Sequence, residues 1–219
     1  MSWFYYFGRL LIRIIVFLFT STKVIGKKNL PKKGALLVVA NHLSLADPPL
    51  LGACLSRKAI FMAKEELFRS RFLRYFIRGF GAFPVHRGQL DRKSIRHAEE
   101  ILERNLALVM FPEATRSKDA RLQPAYSGSA MIALRRSTPV LPVGITGTEN
   151  VKGYKWLLRR PRLTVNIGKP FKLPEVNGKT RKTDLDNCTD LIMRHIAELL
   201  PERYRGIYNT AREYDEIKN

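Results

Sequence analysis

His42 and Asp47 stand five residues apart in Asn41-His42-Leu43-Ser44-Leu45-Ala46-Asp47, directly after the apolar run Ala35–Ala40. An imidazole and a carboxylate so placed can form a base and its orienting partner. The carboxylate accepts a hydrogen bond from one ring nitrogen, fixes the tautomer and stabilises the imidazolium, and the other nitrogen is left to take a proton. No serine or cysteine is then obligatory, because the nucleophile can be a hydroxyl of the substrate. A structural reading fits the same residues. Asp47 before Pro48 has the form of a helix cap with proline at the first helical position, and His42 can be a buried polar side chain.

Three further blocks gather candidates. Phe111-Pro112-Glu113-Ala114-Thr115-Arg116-Ser117 brings an acid, a hydroxyl and an arginine to one loop. The planar fork of Arg116 suits a phosphate, since it donates two parallel hydrogen bonds; the alternative is a surface ion pair between Glu113 and Arg116. Residues Gly79–Gly88 present Arg87 beyond a short run, Phe83–Val85. Val140–Ile145 carries no chemistry and can only shape a pocket, through Pro142 and Gly144.

Strands are expected at 35–40, 60–63, 83–85, 106–111, 140–145 and 163–167, from short apolar, β-rich runs. Helices are expected at 48–55, 64–78, 91–104 with Asp91 as cap, 124–135 and 183–199, ended by Pro201. This alternation predicts one α/β domain over residues 23–219, with a largely parallel or mixed central sheet flanked by helices. The candidate residues fall just past strand ends, where open α/β sheets place their ligands.

Residues 3–19 are apolar apart from Arg9 and Arg13, which a helix would put on one face. The run is marginal for a span and Thr20-Ser21-Thr22-Lys23 is a poor cleavage site. We expect residues 1–22 to form a helix in the membrane interface, with aromatics and leucines in the lipid and both arginines snorkelling to phosphates; the alternative is packing on the protein's own core. Net charge is +20, so the surface seeks anions. Basic residues interleaved with Leu67, Phe68, Phe72 and Phe76 suggest either a second lipid-facing helix or a solvated basic face. Cys54 and Cys188 are too far apart for a zinc cluster or a disulfide framework and read as free thiols in a reducing compartment.

Four blocks, N-H-x4-D at 41–47, G-x-F-P-V-x-R at 81–87, F-P-E-x-T-R-S at 111–117 and V-L-P-V-G-I at 140–145, stand in this order. Together they resemble the glycerolipid acyltransferase family, most of all its bacterial branch acting on 1-acyl-sn-glycerol 3-phosphate. The likeness covers about residues 24–170. It implies an α/β fold behind an N-terminal helical membrane motif, and acyl transfer from acyl-CoA or acyl carrier protein to the sn-2 hydroxyl, giving phosphatidic acid. Another glycerol phosphate or lysophospholipid is the alternative acceptor. By the same resemblance His42 is the general base and Asp47 its partner. Arg87, Glu113, Thr115 and Arg116 bind the acceptor, with the arginines on its phosphate, and Asn41, Gly81, Pro142 and Gly144 shape the pocket. The oxyanion donor is sought near a Pro142–Gly144 turn.

The expected partners are anionic membrane lipids and the donor carrier, with no nucleic acid, no metal and no cofactor beyond the co-substrate. The expected location is the cytoplasmic face of the cell membrane, monotopic or peripheral. Three departures stand out: Ala114 and Ala120 where the family usually has glycine, and Tyr126 where it has lysine. Two rival classes remain, a nucleic-acid binder suggested by charge alone and a non-catalytic membrane-surface module.

Overall fold

The computed structural model describes residues 2–71, 74, 75, 77, 81–85, 92–176, 178 and 180–209. Among these, helix α1 (Ser2–Phe19) leads into strand β1 (Ser21–Ile25), then β2 (Leu36–Ala40), α2 (Asp47–Cys54), β3 (Ala59–Lys64) and β4 (Phe83–Val85). Then come α3 (Arg92–Glu103), β5 (Ala107–Met110), α4 (Gly128–Arg135), β6 (Val140–Thr146), α5 (Trp156–Arg159), β7 (Arg162–Ile167) and α6 (Lys182–Glu198). The strands form one seven-stranded mixed sheet in the order β1-β7-β6-β2-β5-β3-β4. All neighbours are parallel except β6 and β7.

The central strands read as unbroken apolar runs because both their faces are covered. Leu37, Val39, Leu108 and Met110 face α3, α4 and α6. Leu36, Val38, Ala40, Ala107 and Val109 face the opposite layer, which holds Leu50, Leu51 and Leu55 of the α2 region. On α3, Ile95, Ala98, Ile101 and Leu102 recur at helical spacing and are buried. On α6 the same face is carried by Cys188, Ile192, Met193, Ile196 and Ala197.

Several boundaries differ from expectation. The expected helix at 64–78 begins later, because β3 runs through Lys64 to pair with Val85 and Glu65–Phe68 is a 3-10 turn. Its residues Phe72, Leu73, Phe76 and Arg78 lie outside the described range, as does Asp91. The helix expected from Pro124 starts at Gly128, since the Tyr126 amide is held by the Pro112 carbonyl at 2.9 Å instead of a helical partner. Strand β1 has no counterpart among the expected strands: it is an edge strand with alternating exposure and few apolar residues.

Helix α1 reverses the expected arrangement of its arginines. Arg9 is buried and donates to the Leu55 carbonyl, and Arg13 Nε donates to the Ala53 carbonyl at 2.8 Å. These are carbonyls at the C-terminal end of α2, where the helix dipole favours cations. Burial, with Arg13 nearby, lowers the Arg9 pKa. Arg9 is therefore not free to snorkel, and Arg13, though exposed, is tied through Nε; both dock α1 onto the domain. The outward face carries Trp3, Tyr6, Phe7, Leu10, Leu11, Ile14, Phe17 and Leu18, all exposed. Among the described residues no helix is long and apolar enough to cross a membrane.

Candidate active site

The C-terminal end of β2 is extended by two residues that borrow partners from both sides. Asn41 acts as a further β-pair with its side chain: Nδ2 donates to the Ile145 carbonyl at 2.9 Å and Oδ1 accepts the Ile145 N–H at 2.7 Å. His42 turns its backbone the other way. Its N–H donates to Glu113 Oε1 at 2.9 Å and its carbonyl accepts the Ser117 N–H at 2.8 Å. The loop after β2 is thus pinned to β6 and to the loop after β5 before any catalytic group is placed.

Asp47, fully buried at the start of α2, closes that loop. Its Oδ2 accepts the Leu43 and Ser44 amides, each at 2.7 Å, and meets His42 Nδ1 at 2.8 Å. Asp47 follows the capping residue Ala46 and does not itself cap the helix. A carboxylate oxygen facing Nδ1 assigns the proton to Nδ1. The imidazole also stacks on Phe111, ring centroids 4.3 Å apart and planes 24° from parallel. Backbone, Nδ1 and one ring face are therefore all fixed, and Nε2 has no partner among the described residues.

Glu113 is built into the architecture of the His42 loop. It is 1% exposed, and its second oxygen, Oε2, accepts the Gln123 N–H at 2.9 Å. Each oxygen accepts one backbone amide, so Glu113 positions the His42 loop, and it makes no ion pair with Arg116 among the described residues. Burial pushes its pKa up to about 7, against the opposing pull of the two amides. Thr115 and Arg116, by contrast, are exposed on the same loop, and Arg116 has no hydrogen bond or ion pair among the described residues. Arg87 lies outside the described residues.

The remaining expectations divide. Pro142 and Gly144 lie inside β6, with Pro142 level with Val39, so there is no turn there to supply an oxyanion donor. Both face the end of α6: a Cβ on Gly144 would come within 3.0 Å of Leu199 and Leu200, and Pro142 Cγ packs against Gly168. They seat α6 and do not line the His42 site. Gly81 adopts a φ of 76° beside Ile60, two residues before Phe83 pairs with Met62. That level is well below the strand ends, so Gly81 shapes the entry into β4. Phe111, Ser117 and Gln123 emerge as positioning residues; the first two stand in the quoted motif, but their contacts with His42 leave no pattern in the sequence. Asp119 organises the loop beyond, with Oδ1 accepting from Ser117 Oγ, the Arg121 amide and Gln123 Nε2.

A buried His–Asp pair stands at the carboxyl end of a mixed α/β sheet with Nε2 unpartnered among the described residues, and Arg116 is exposed on the loop whose Ser117 amide holds the His42 carbonyl. The chain belongs to the acyltransferase family: the family model matches residues 21–146. The 1-acyl-sn-glycerol-3-phosphate acyltransferase of Streptococcus pneumoniae is 33% identical over 143 residues, 64% of this chain and 51% of that one. That of Bacillus subtilis is 26% identical over 86% of this chain and 92% of its own length. The chain thus spans about half of the first relative and nearly all of the second. The crystal structure of the 1-acyl-sn-glycerophosphate acyltransferase PlsC from Thermotoga maritima superposes with a TM-score of 0.67 at 29% identity, covering 90% of this chain and 78% of that one.

Proposed function

We propose that this protein transfers a fatty acyl group from an acyl thioester to the sn-2 hydroxyl of 1-acyl-glycerol 3-phosphate at a membrane surface, giving phosphatidic acid. The observation that carries the reading is His42, fixed by Asp47, Phe111 and its own backbone partners so that only Nε2 is available. Nε2 takes the proton of the acceptor hydroxyl as that oxygen attacks the thioester carbonyl. The resulting tetrahedral oxyanion collapses, the carbon–sulfur bond breaks, and the imidazolium returns its proton to the departing thiolate. Asp47 holds the Nδ1 proton and stabilises the imidazolium between the two transfers. In this reading Arg116, exposed on the loop after β5, binds the acceptor phosphate. The donor, acyl-CoA or acyl carrier protein, is a co-substrate, and the reaction so drawn uses no further cofactor.

The outward apolar face of α1 supports attachment to the bilayer that holds both acceptor and product. Its eight exposed apolar side chains form a contiguous stripe, and such stripes mark interaction surfaces. On this proposal binding is peripheral or monotopic and at the cytoplasmic face, where an anionic leaflet would meet the net charge of +20.

The test is a labelled acyl thioester, offered as the CoA and the carrier-protein form, against lysophosphatidate, glycerol 3-phosphate, other lysophospholipids and nucleic acid as a binding competitor. Acylation of lysophosphatidate above the other acceptors is expected. Acyl transfer to none of them, with salt-sensitive nucleic-acid binding instead, overturns the proposal.

A further inference from the structure

We infer that the turn ahead of β7, residues 152–160, is a second contact with an anionic bilayer, and that with α1 it seats the catalytic edge of the sheet on the membrane. The sequence there is Lys152-Gly153-Tyr154-Lys155-Trp156-Leu157-Leu158-Arg159-Arg160. Tyr154 is 73% and Leu158 87% exposed, the latter the most exposed large apolar side chain among the described residues. A leucine this open gains nothing from its own fold. Lys152, Lys155, Arg159 and Arg160 frame these two residues and make no ion pair among the described residues. Exposed apolar side chains interleaved in sequence with cations match the layering of an anionic interface, where the apolar tips enter the acyl boundary and the cations meet phosphates.

The turn is continuous with α1. Trp156 packs edge-on against Phe19, ring centroids 6.4 Å apart, and Arg160 Nη2 donates to the Phe17 carbonyl at 3.4 Å. The topology then sets the height. Tyr5, near the start of α1, accepts the Ala59 amide at the first residue of β3, so α1 begins at the sheet edge opposite His42. It ends beside β1, whose Ser21 is level with Arg162 at the start of β7. Strand β7 is antiparallel to β6, with Thr164 opposite Thr146, so the start of β7 lies where β6 ends. That is the edge from which the His42 loop emerges, together with the exposed Leu45. A bilayer touching both α1 and residues 152–160 therefore runs along the domain and reaches its catalytic edge.

The inference rests on α1 lying on a membrane, and the experiment separates the two. Full-length protein is partitioned onto vesicles of phosphatidylcholine with and without phosphatidylglycerol. Leu158→Glu should weaken partition about tenfold or more, from the loss of one buried leucine and the gain of a like charge, while turnover on detergent-dispersed acceptor stays at the wild-type level. The pair Lys152→Gln with Lys155→Gln should weaken binding only to phosphatidylglycerol vesicles, and high salt should abolish that difference. An environment-sensitive dye on Leu158→Cys should shift to the blue on vesicle addition. Wild-type partition of Leu158→Glu, or an unshifted dye, overturns the second contact. If instead Phe7→Glu with Phe17→Glu partitions like wild type, the reading of α1 fails. Sedimentation showing that wild type pairs in solution through Leu158, with vesicle binding unchanged in Leu158→Glu, assigns the turn to a second copy and likewise overturns the proposal.

Discussion

Glu113 Oε1 accepts the backbone N–H of His42 at 2.9 Å, across a sequence separation of 71 residues. The same carboxylate holds the Gln123 amide, so one side chain ties the loops after β2 and β5 together. Burial outweighs both amides and raises its pKa from 4.5 to about 7. The folded chain therefore binds this proton more tightly than the unfolded chain does. The contribution to stability is complete below about pH 4.5 and is lost as pH rises through about 7. Thermal or denaturant unfolding of wild type and Glu113→Gln from pH 4.5 to 8 should show a fall in wild-type stability relative to the variant, on the order of 2–3 kcal/mol. Parallel pH profiles would show that Glu113 titrates normally.

The two members of the His42–Asp47 pair should fail differently. His42→Ala removes the base but leaves Asp47 holding the Leu43 and Ser44 amides. Turnover should fall by roughly 10²–10⁴, with a smaller loss of stability than in Asp47→Ala, from the emptied site beside Phe111 and the lost bond to Asp47. Asp47→Ala orphans both amides in a buried loop, and each costs about 1–3 kcal/mol. It should therefore lose turnover and stability together. Near-normal turnover in folded His42→Ala would sink the base assignment, and an Asp47→Ala protein as stable as wild type would sink the account of the loop.

Why the sequence revealed some of this and not the rest has physical reasons. Strands β2, β5 and β6 are covered on both faces, so their positions show as apolar runs. Strand β1 is half exposed at an edge, so it does not. The motif blocks locate His42, Asp47 and Arg116 because chemistry follows residue type. They do not reveal that Glu113 turns inward, since its partners are backbone amides at positions 42 and 123, which any sequence supplies. Spacing places Arg9 and Arg13 on one face of a helix. Only the carbonyls ending α2 decide that this face meets the protein and leaves the aromatics outside. Pro142 stands in a recognisable block, yet its role depends on where α6 ends.

Ala114 and Ala120 stand at φ 52° and 62°, in the left-handed region. There a Cβ crowds the following carbonyl, which glycine avoids. Ala114→Gly and Ala120→Gly should each stabilise by about 1 kcal/mol, the relief of strain exceeding the added freedom of the unfolded chain. For a chain of this size that is about 2–4 °C in melting temperature. Calorimetry of the single variants tests this, and no gain in either would mean the loops relax around alanine without strain.

Arg116 is exposed beside the pinned His42 loop, and Tyr126, exposed with its amide on the Pro112 carbonyl, brings no charge to the same loop. More of the phosphate's neutralisation should therefore rest on Arg116. Arg116→Lys keeps the charge but loses the two-pronged fork. Losing one charge-assisted hydrogen bond costs roughly 1.5–3 kcal/mol, or about 10- to 150-fold in kcat/KM for the acceptor. The KM for the acyl donor should hardly move. An acceptor with an esterified phosphate should be poor from the start and lose little more in the variant. Because Arg116 makes no bond among the described residues, the substitution should leave melting temperature unchanged. That separates recognition from loop architecture, which Glu113 already supplies. Equal losses on free and esterified phosphate would show that Arg116 does not read the phosphate, and a loss confined to donor KM would move it to the phosphates of the donor.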